Sequence, residues 1–591
     1  MTRFYLSSLF TFISFFTLAQ SVPFVKAHTY RAGGFNQKAT GQIAYDHTVN
    51  KLYSVNQEQL GFDIIDYTDI FKPNFERTVD LSQYLTRVRS IESSSGFVFI
   101  AGDGSSAQLP GKLLIYNSNG VFRKQLSIGA KPDRMKFTGD DITLVICNEG
   151  SPDSTYSADP IGSVNIINTA AGINFLTQAD VKTLDFTLLD TTDFDPLIHI
   201  YNNAGQNPSQ DLEPEAVSFS PDNRTAYVVL QENNALAVVD LFNAELDTIL
   251  GLGYRDHNAS GLDASDLANT VNITNYPRLY GIHQPGDIAG FEFQGHAYHI
   301  LANQGEPRRY QAYDERIRVS NQPVDPSKFS NLQTLLEDTL LGRLNISSAY
   351  GDRNGDGLHD SLLSFGSRSI SIRDSSGAEV WHSTDLMGLF VASLQPSDFN
   401  AAADDNSSFK QRSDDMGIEP NAVVTGEVDG NLYAFVSLYQ MGGIMIFNIS
   451  TGPQATIDQY HLDRDFSLPA NDPMAGDLGP TDLEFVPAGR TPLGIAQLFV
   501  ANEVSGTISV YQIGQGIGIE ENPTRETSGV YPNPGEGLFF MGKKSNYEVY
   551  NQQGQAVAKF SDTRQVDLSD QPPGIYIIVA GNGSAVKVVK R

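Results

Sequence analysis

Cysteine is almost missing from this 591-residue chain. Cys147 stands alone, so no intrachain disulfide can form, and its setting in the apolar run "ITLVICNEG" reads as a buried, inert thiol. Positive charge is scarce as well. Forty Lys and Arg face 69 Asp and Glu, and the net charge of -29 excludes nucleic acid and anionic membrane surfaces as partners. It suits a soluble exported protein or one that collects cations. The one tryptophan, Trp381 in "AEVWHS", reads as a packing aromatic. Past the first residues there is no run of about 20 apolar residues, so no transmembrane anchor is expected once an N-terminal signal is removed. The chain has no Gly-x-Ser-x-Gly elbow, no His-Glu-x-x-His helix and no phosphate-binding Gly-Lys loop. Its histidines are scattered, with His257, His283 and His296/His299 nearest to a cluster. Helical periodicity is also rare. The best candidate is "PSKFSNLQTLLEDTLLGRL", with Leu332, Leu335, Leu336 and Leu340 on one stripe.

What is present is turn and strand. Gly 52, Pro 28 and 10% aromatics accompany a hydrophobic content of 40%, which is ample for a core. Residues 1–19 have the layout of an export signal. Arg3 precedes an apolar stretch, and Ala19 offers a cleavage point, with Ala27 a later alternative. Thereafter short alternating apolar runs recur as pairs, as in "TAYVVLQENNALAVVDL", "LYAFVSLYQMGGIMIFNI" and "AQLFVANEVSGTISVYQI". In each, a strand ends in a polar turn and a second strand ends in Asp or Asn. "HAYHILANQGEP" and "LLSFGSRSISIRD" are weaker versions. The first three pairs begin roughly 46 residues apart, a propeller-blade period. An all-β β-propeller of about seven blades over residues 28–513, with loop insertions, is therefore expected. A linker at 514–528 and a small C-terminal β-sandwich at 529–591 complete the chain.

A proline and an acid recur ahead of a strand in "AKPDRMKFT", "LEPEAVSFS", "HQPGDIAGF", "GIEPNAVVT" and "LGPTDLEFV". Proline cannot donate to a strand ladder, so it belongs just before a channel-lining strand. The acids Asp133, Glu213, Glu215, Asp287, Glu419 and Asp482 then converge on the channel mouth. Polar turns carrying Asn148, Glu149, Glu232, Asn303, Glu306, Asn502 and Glu503 flank them. Gathered carboxylates repel and hold raised pKa values unless a divalent cation, or Arg134, Arg308 or Arg309, relieves them. The competing reading makes these acids loop acceptors that join blade to blade. A separate candidate is "DRNGDGLHD". There Asp352, Asn354, Asp356 and Asp360, with the Leu358 carbonyl, occupy calcium-loop positions, although Leu363 stands where a bidentate glutamate belongs. An Asx-rich turn is the alternative.

The C-terminal segment resembles the type A sorting domain of the type IX secretion pathway of Bacteroidetes. The resemblance rests on Tyr531-Pro532-Asn533-Pro534, Val549-Tyr550-Asn551…Gly554, Gly574-Ile575-Tyr576 and Lys587…Lys590-Arg591. It implies that the type IX machinery exports the chain through the outer membrane. The body resembles the choice-of-anchor I family through "IGAKPDRMKFT…VICNEGSPDSTYSADPIGSVNIIN", "LEPEAVSFSPDNRTAYVVLQENNALAVVDL", "YHILANQGEPRRY" and "DLGPTDLEFVPAGRTPLGIAQLFVANEVSGTISVYQI". That family is similar to mesenchyme-specific cell-surface glycoproteins, and some members carry an alkaline-phosphatase label. The chain departs from the family pattern at Gln304, Asn421 and Thr481, where carboxylates are usual. Two functions are expected from these readings. The first is a surface propeller that binds an extracellular ligand with calcium as a structural ion. The second is a metal-dependent phosphoesterase working through the mouth carboxylates.

Overall fold

The computed structural model describes residues 21–187, 189, 195–201, 207–515, 530–531, 535–551, 555–581 and 585–591. The expected export signal, most of the linker and Pro532, Asn533, Pro534 and Gly554 of the sorting signature lie outside them. The chain divides into two compact units, Met1–Gln515 and Gly516–Arg591.

The first unit holds seven four-stranded antiparallel sheets arranged as propeller blades. Their channel-lining strands are Ile43–Asp46, Arg87–Ser94, Pro132–Phe137, Pro214–Phe219, Asp287–Phe293, Pro420–Val428 and Pro480–Val486, here numbered blades one to seven. Each lies beside the next, and blade seven returns to blade one. Second and third strands of the blades are buried on both faces, as in Leu144–Asn148 and Ala226–Leu230, because blades pack against both sides. The recurring terminal Asp or Asn of the third strand has a local cause. Asp66, Asn117, Asn168, Asp240, Asp374 and Asn448 each accept a backbone N–H two residues on, from Thr68, Asn119, Ala170, Phe242, Ser376 and Ser450. These Asx turns start the hairpin to the fourth strand.

Blade seven is completed from the far end of the chain. Phe24–Arg31 pairs antiparallel with Thr507–Ile513 and supplies its fourth strand. Phe24 stacks on Tyr511 at 4.5 Å, and Lys26 reaches Asp463 at 2.9 Å and Asp477 at 3.0 Å.

Blade five is interrupted. Its second strand His296–Asn303 pairs with Ser369–Asp374, so "HAYHILANQGEP" and "SISIRD" are halves of one blade rather than separate units. The intervening chain joins residues before the blade in a five-stranded sheet. Its strands are Tyr254–Asp256, Leu279–Ile282, Leu362–Ser364, Asn345–Ser347 and Arg316–Arg318. The helix expected over 326–344 is reduced to one turn, Leu332–Leu335. Its leucines still face a core of Leu262, Tyr276, Leu341 and Leu344, but the amide of Leu341 turns back to the carbonyl of Leu335 and ends the helix. The longer helix, Leu386–Leu394, begins close after Trp381, which packs edge-on at 6.4 Å from Phe447. Cys147 is buried in an apolar cluster.

The second unit is a small antiparallel β-domain in which Leu538–Asn551 pairs with Val530–Tyr531, Ala556–Asp567 and Gly574–Ala580. Its core includes Phe539, Tyr547, Val549, Val566 and Ile578.

One ion pair ties two inter-blade insertions together. Lys410 and Asp263, both wholly buried, meet at 3.0 Å, and Lys410 Nζ also donates to the Thr270 carbonyl. Lys410→Met strands a buried carboxylate, so a loss of about 3–5 kcal/mol is expected, read as a lower melting temperature. Adding Asp263→Asn to that variant recovers part of the loss.

Candidate functional site

The expected single ring of acids is corrected by the strand register. Pro132, Pro214, Pro420 and Pro480 lie opposite Asn148, Leu230, Leu438 and Asn502, and a β-bulge follows each proline. Counted from that position, Glu213 and Glu419 come one residue before it and Asp133 and Glu215 one after. Asp287 and Asp482, which pair with Ala302 and Ala501, come two after. Neighbouring strand residues point to opposite sides, so one-residue offsets give separate tiers.

The deepest tier is a hub. Asp482 Oδ2 accepts the backbone N–H of Ile43 in blade one, and Asp287 Oδ2 accepts that of Val423 in blade six, both at 2.9 Å. Ser90 Oγ accepts from Met135 of blade three in the same way. Each of these side chains therefore holds the following blade. Arg134 lies between them, 2.9 Å from Asp482 Oδ1 and 4.0 Å from Asp287 Oδ2. Asp287 and Asp482 thus act as blade-to-blade acceptors, and Arg134 neutralises them.

The outer tier gathers Asp133, Glu149, Glu213, Glu215, Glu232 and Glu306. Ser151 Oγ donates to Glu149 Oε2 at 2.6 Å and lies 2.8 Å from Glu213 Oε2, and Lys131 pairs with Glu149. Burial, then neighbouring carboxylates, push Asp133 up to about 6, Glu232 to about 7 and Glu306 to about 8. Glu213 and Glu215 are raised well above the usual range for the same reasons. Glu149 goes the other way despite its burial, because Lys131 holds it ionised. Glu232 is 8% exposed, and its Oε2 is buried without a hydrogen-bond partner. Arg308 is committed beside the cluster, to Asp211 at 2.6 Å and Glu315 at 3.7 Å. Above it lie Tyr156 and Tyr310, edge to face at 5.0 Å. The phenol of Tyr310 is kept neutral by burial and by Glu213 and Glu232.

Two sets of comparisons bear on this arrangement. Residues 41–452, more than two thirds of the chain, match the choice-of-anchor I domain. The chain belongs to the choice-of-anchor I family. Residues 529–591 match a secretion system C-terminal sorting domain, so this choice-of-anchor I protein is exported by the type IX route to the cell surface or beyond it. Gigasin-3a of Magallana gigas is 24% identical over 193 residues, covering 31% of this chain and 68% of that protein. Among solved structures, the β-propeller domain of Myceliophteria thermophila Cps50 (Swd1) has a TM-score of 0.39 at 8% identity, covering 83% of this chain and 99% of that one. The Neurospora crassa Pan2 WD40 domain also gives 0.39 at 8% identity, covering 84% and 96%.

In this choice-of-anchor I propeller, the flanking asparagines are structural rather than exposed at the mouth. Asn148 donates to Ser163 and Asn165, Asn303 to Ser369 and Ser371, and Asn502 to Thr507 and Ser509, each inside its own blade. Glu503 pairs with Lys38 at 2.9 Å. Glu419 accepts from Gln304 and Gln440 and lies 3.6 Å from Arg412. The departures from the family pattern are absorbed here, since Gln304 serves Glu419 and Asn421 donates to the Thr481 carbonyl.

In the 352–360 loop, Asp352 accepts the N–H groups of Gly355 and Gly357, and Asp356 accepts that of Leu358. Asn354 Oδ1 accepts the N–H of Asp356, and Asp360 Oδ2 that of Arg353. These are nested Asx turns. Asp360 Oδ1 is buried without a hydrogen bond, 3.9 Å from Lys328 Nζ. Among the described residues, no group of three or more His, Cys, Asp or Glu side chains converges to hold a metal ion.

Lys131, Arg89, Ser151, Tyr156 and Tyr310 carry no signal in the sequence, because they come from loops or a bulge. It also missed a relay. Glu379 Oε2 lies 3.4 Å from His283 Nε2, and His283 Nδ1 lies 2.9 Å from Ser367 Oγ. Ser367 is wholly buried, so its hydroxyl serves packing, linked onward through Ser369 to His382. His257 is buried and held neutral by burial, while His296 and His299 lie on a blade strand with His299 bonded to Ser218. The opposite end of the channel opens on a cavity of about 600 Å³ lined in part by Lys136, Phe219, Phe291, Glu484 and Phe485.

The raised carboxylates predict a pH effect with a definite sign. Their folded pKa values exceed the unfolded ones, so the stability they contribute at low pH is lost as pH rises through about 6 to 8. In chelator, the melting temperature is expected to fall by about 2 °C or more between pH 6 and pH 8.5, and Glu306→Gln blunts that fall.

Proposed function

We propose that this protein is a secreted or cell-surface propeller that binds an extracellular ligand at the acidic mouth, with calcium bracing the 352–360 loop. The observation supporting it is the charge balance of the outer tier. Its carboxylates outnumber the cations near them, and Lys131, Arg89, Arg134 and Arg308 are each already paired, to Glu149, Asp103, Asp482 and Asp211. A phosphate ester needs uncompensated positive charge, and this mouth offers the reverse.

Calcium, a hard cation that takes oxygen ligands, would be held by Asp352, Asn354, Asp356, Asp360 and the Leu358 carbonyl. The unbonded Oδ1 of Asp360 fits that role. Bound there, the ion supplies a cross-link between the loop and the strand Leu362–Ser364.

The purified chain separates the two functions. Phosphomonoester and phytate hydrolysis, measured with calcium, with magnesium and after chelation, is expected to stay at background. Metal-dependent turnover abolished by Glu215→Ala overturns the binding reading. Chelation is expected to lower the melting temperature, and Asp352→Ala/Asp356→Ala to remove that response. An unchanged melting temperature in the double variant with saturating calcium sinks the calcium assignment.

A further inference from the structure

We infer that the open side of the mouth takes the ammonium or guanidinium head of an organic cation, a basic side chain or a polyamine, between Asp133, Glu215, Glu232 and Glu306. The inference deepens the binding reading and rests on it. Three observations select this chemistry. The first is an unbonded carboxylate oxygen, because Glu232 is more than nine-tenths buried with Oε2 free of any hydrogen bond. Burying an unpaired charge or acceptor costs several kcal/mol, so the position is built for a donor. The second is the arrangement of the acids. They surround the mouth without three of them meeting at one point, which suits a head with several divergent N–H donors better than a single metal ion. The third is the aromatic pair Tyr156 and Tyr310, which lies near Glu213, with Tyr310 also near Glu232 and Glu149, and suits a cation with an apolar stem. Lys131 already shows the chemistry in place, with its ammonium bonded to both Glu149 and Ser151. The net charge of -29 draws cations toward the molecule from a distance.

Binding then competes with protons. Asp133 faces Glu149, Glu215, Arg89, Arg134 and Lys131, and Glu232 faces Glu149, Glu213, Glu215, Glu306, Tyr310, Arg308 and Lys131. Glu306 faces Glu232, Glu419, Arg309 and Lys131, and Glu215 faces Asp133, Glu232, Glu149 and Glu306. Lowering the pH from 8.5 to 6 protonates Glu306 and Glu232 and weakens the hold on a cation.

The test is calorimetric titration of the full chain with spermidine, with an acetylated trilysine peptide and with calcium chloride, each at pH 8.5 and pH 6. Saturable binding of an organic cation is expected, about tenfold or more weaker at pH 6 and in Glu232→Gln or Glu215→Gln. Tighter binding of the peptide assigns the ligand to a protein, and tighter binding of spermidine assigns it to a polyamine. No saturable binding of either cation overturns the inference. So does equal affinity in both variants, or calcium uptake that Glu232→Gln removes. A fold control accompanies the titration: Glu232→Gln is expected to keep or raise the melting temperature in chelator, and a fall shows that the carboxylate is structural. Failure here leaves the binding reading standing, since that reading fails only on hydrolysis.

Discussion

A propeller has to solve a joint problem at its axis. The bulge after each inner-strand proline breaks the ladder inside its own blade and leaves a backbone N–H facing the neighbour. Side chains from the preceding blade take such an N–H in blades six and three, from Asp287 and Ser90, and Asp482 takes that of Ile43 in blade one, whose inner strand has neither proline nor bulge. A hydrogen bond to a charged acceptor contributes about 1.5–3 kcal/mol, but only while the acceptor stays ionised. Arg134 lies between the two aspartates and offsets their charge. It thereby links the acceptors of blades five and seven, while Ser90 holds blade three without it.

Above the hub the same residue types serve another end. At the axis each carboxylate has a backbone donor or a cation. In the outer tier Asp133, Glu215, Glu232 and Glu306 have been gathered at the expense of ionisation, and their raised pKa values record that expense. Proteins place such strain where function requires it, on loops held by a rigid scaffold. Here the scaffold is the blade ring, and the loops are those carrying Lys131, Glu149, Ser151 and Tyr310.

Architecture was legible in the sequence because it is written in local rules. "VVDL" and "IFNI" announce a strand that ends in Asp or Asn, and "LEPEAVSFS" announces an inner strand that opens on proline. The tiers were not legible, because a shift of one residue relative to proline changes the side a residue faces, and Glu419 and Asp482 look alike in a string. The interrupted blade was hidden for a different reason. The partner of His296–Asn303 lies beyond a long insertion, at Ser369–Asp374, and adjacency in sequence no longer reported pairing. The leucine stripe around Leu335 was read as a helix because a buried turn carries the same apolar spacing as a helix face.

The seam of the ring has a consequence for the order in which the molecule assembles. Thr29 meets Ser509 across 480 residues of chain. Loop-closure entropy grows with such separations, and long-range pairings form after local hairpins. Phe24–Arg31 emerges first during synthesis and waits for a partner made almost last. Until Thr507–Ile513 is made, blade seven has neither its third strand nor a partner for its fourth. The sorting domain, residues 529–591, lies beyond that partner and the linker, so an intact export address appears only on chains that already hold both strands of the seam.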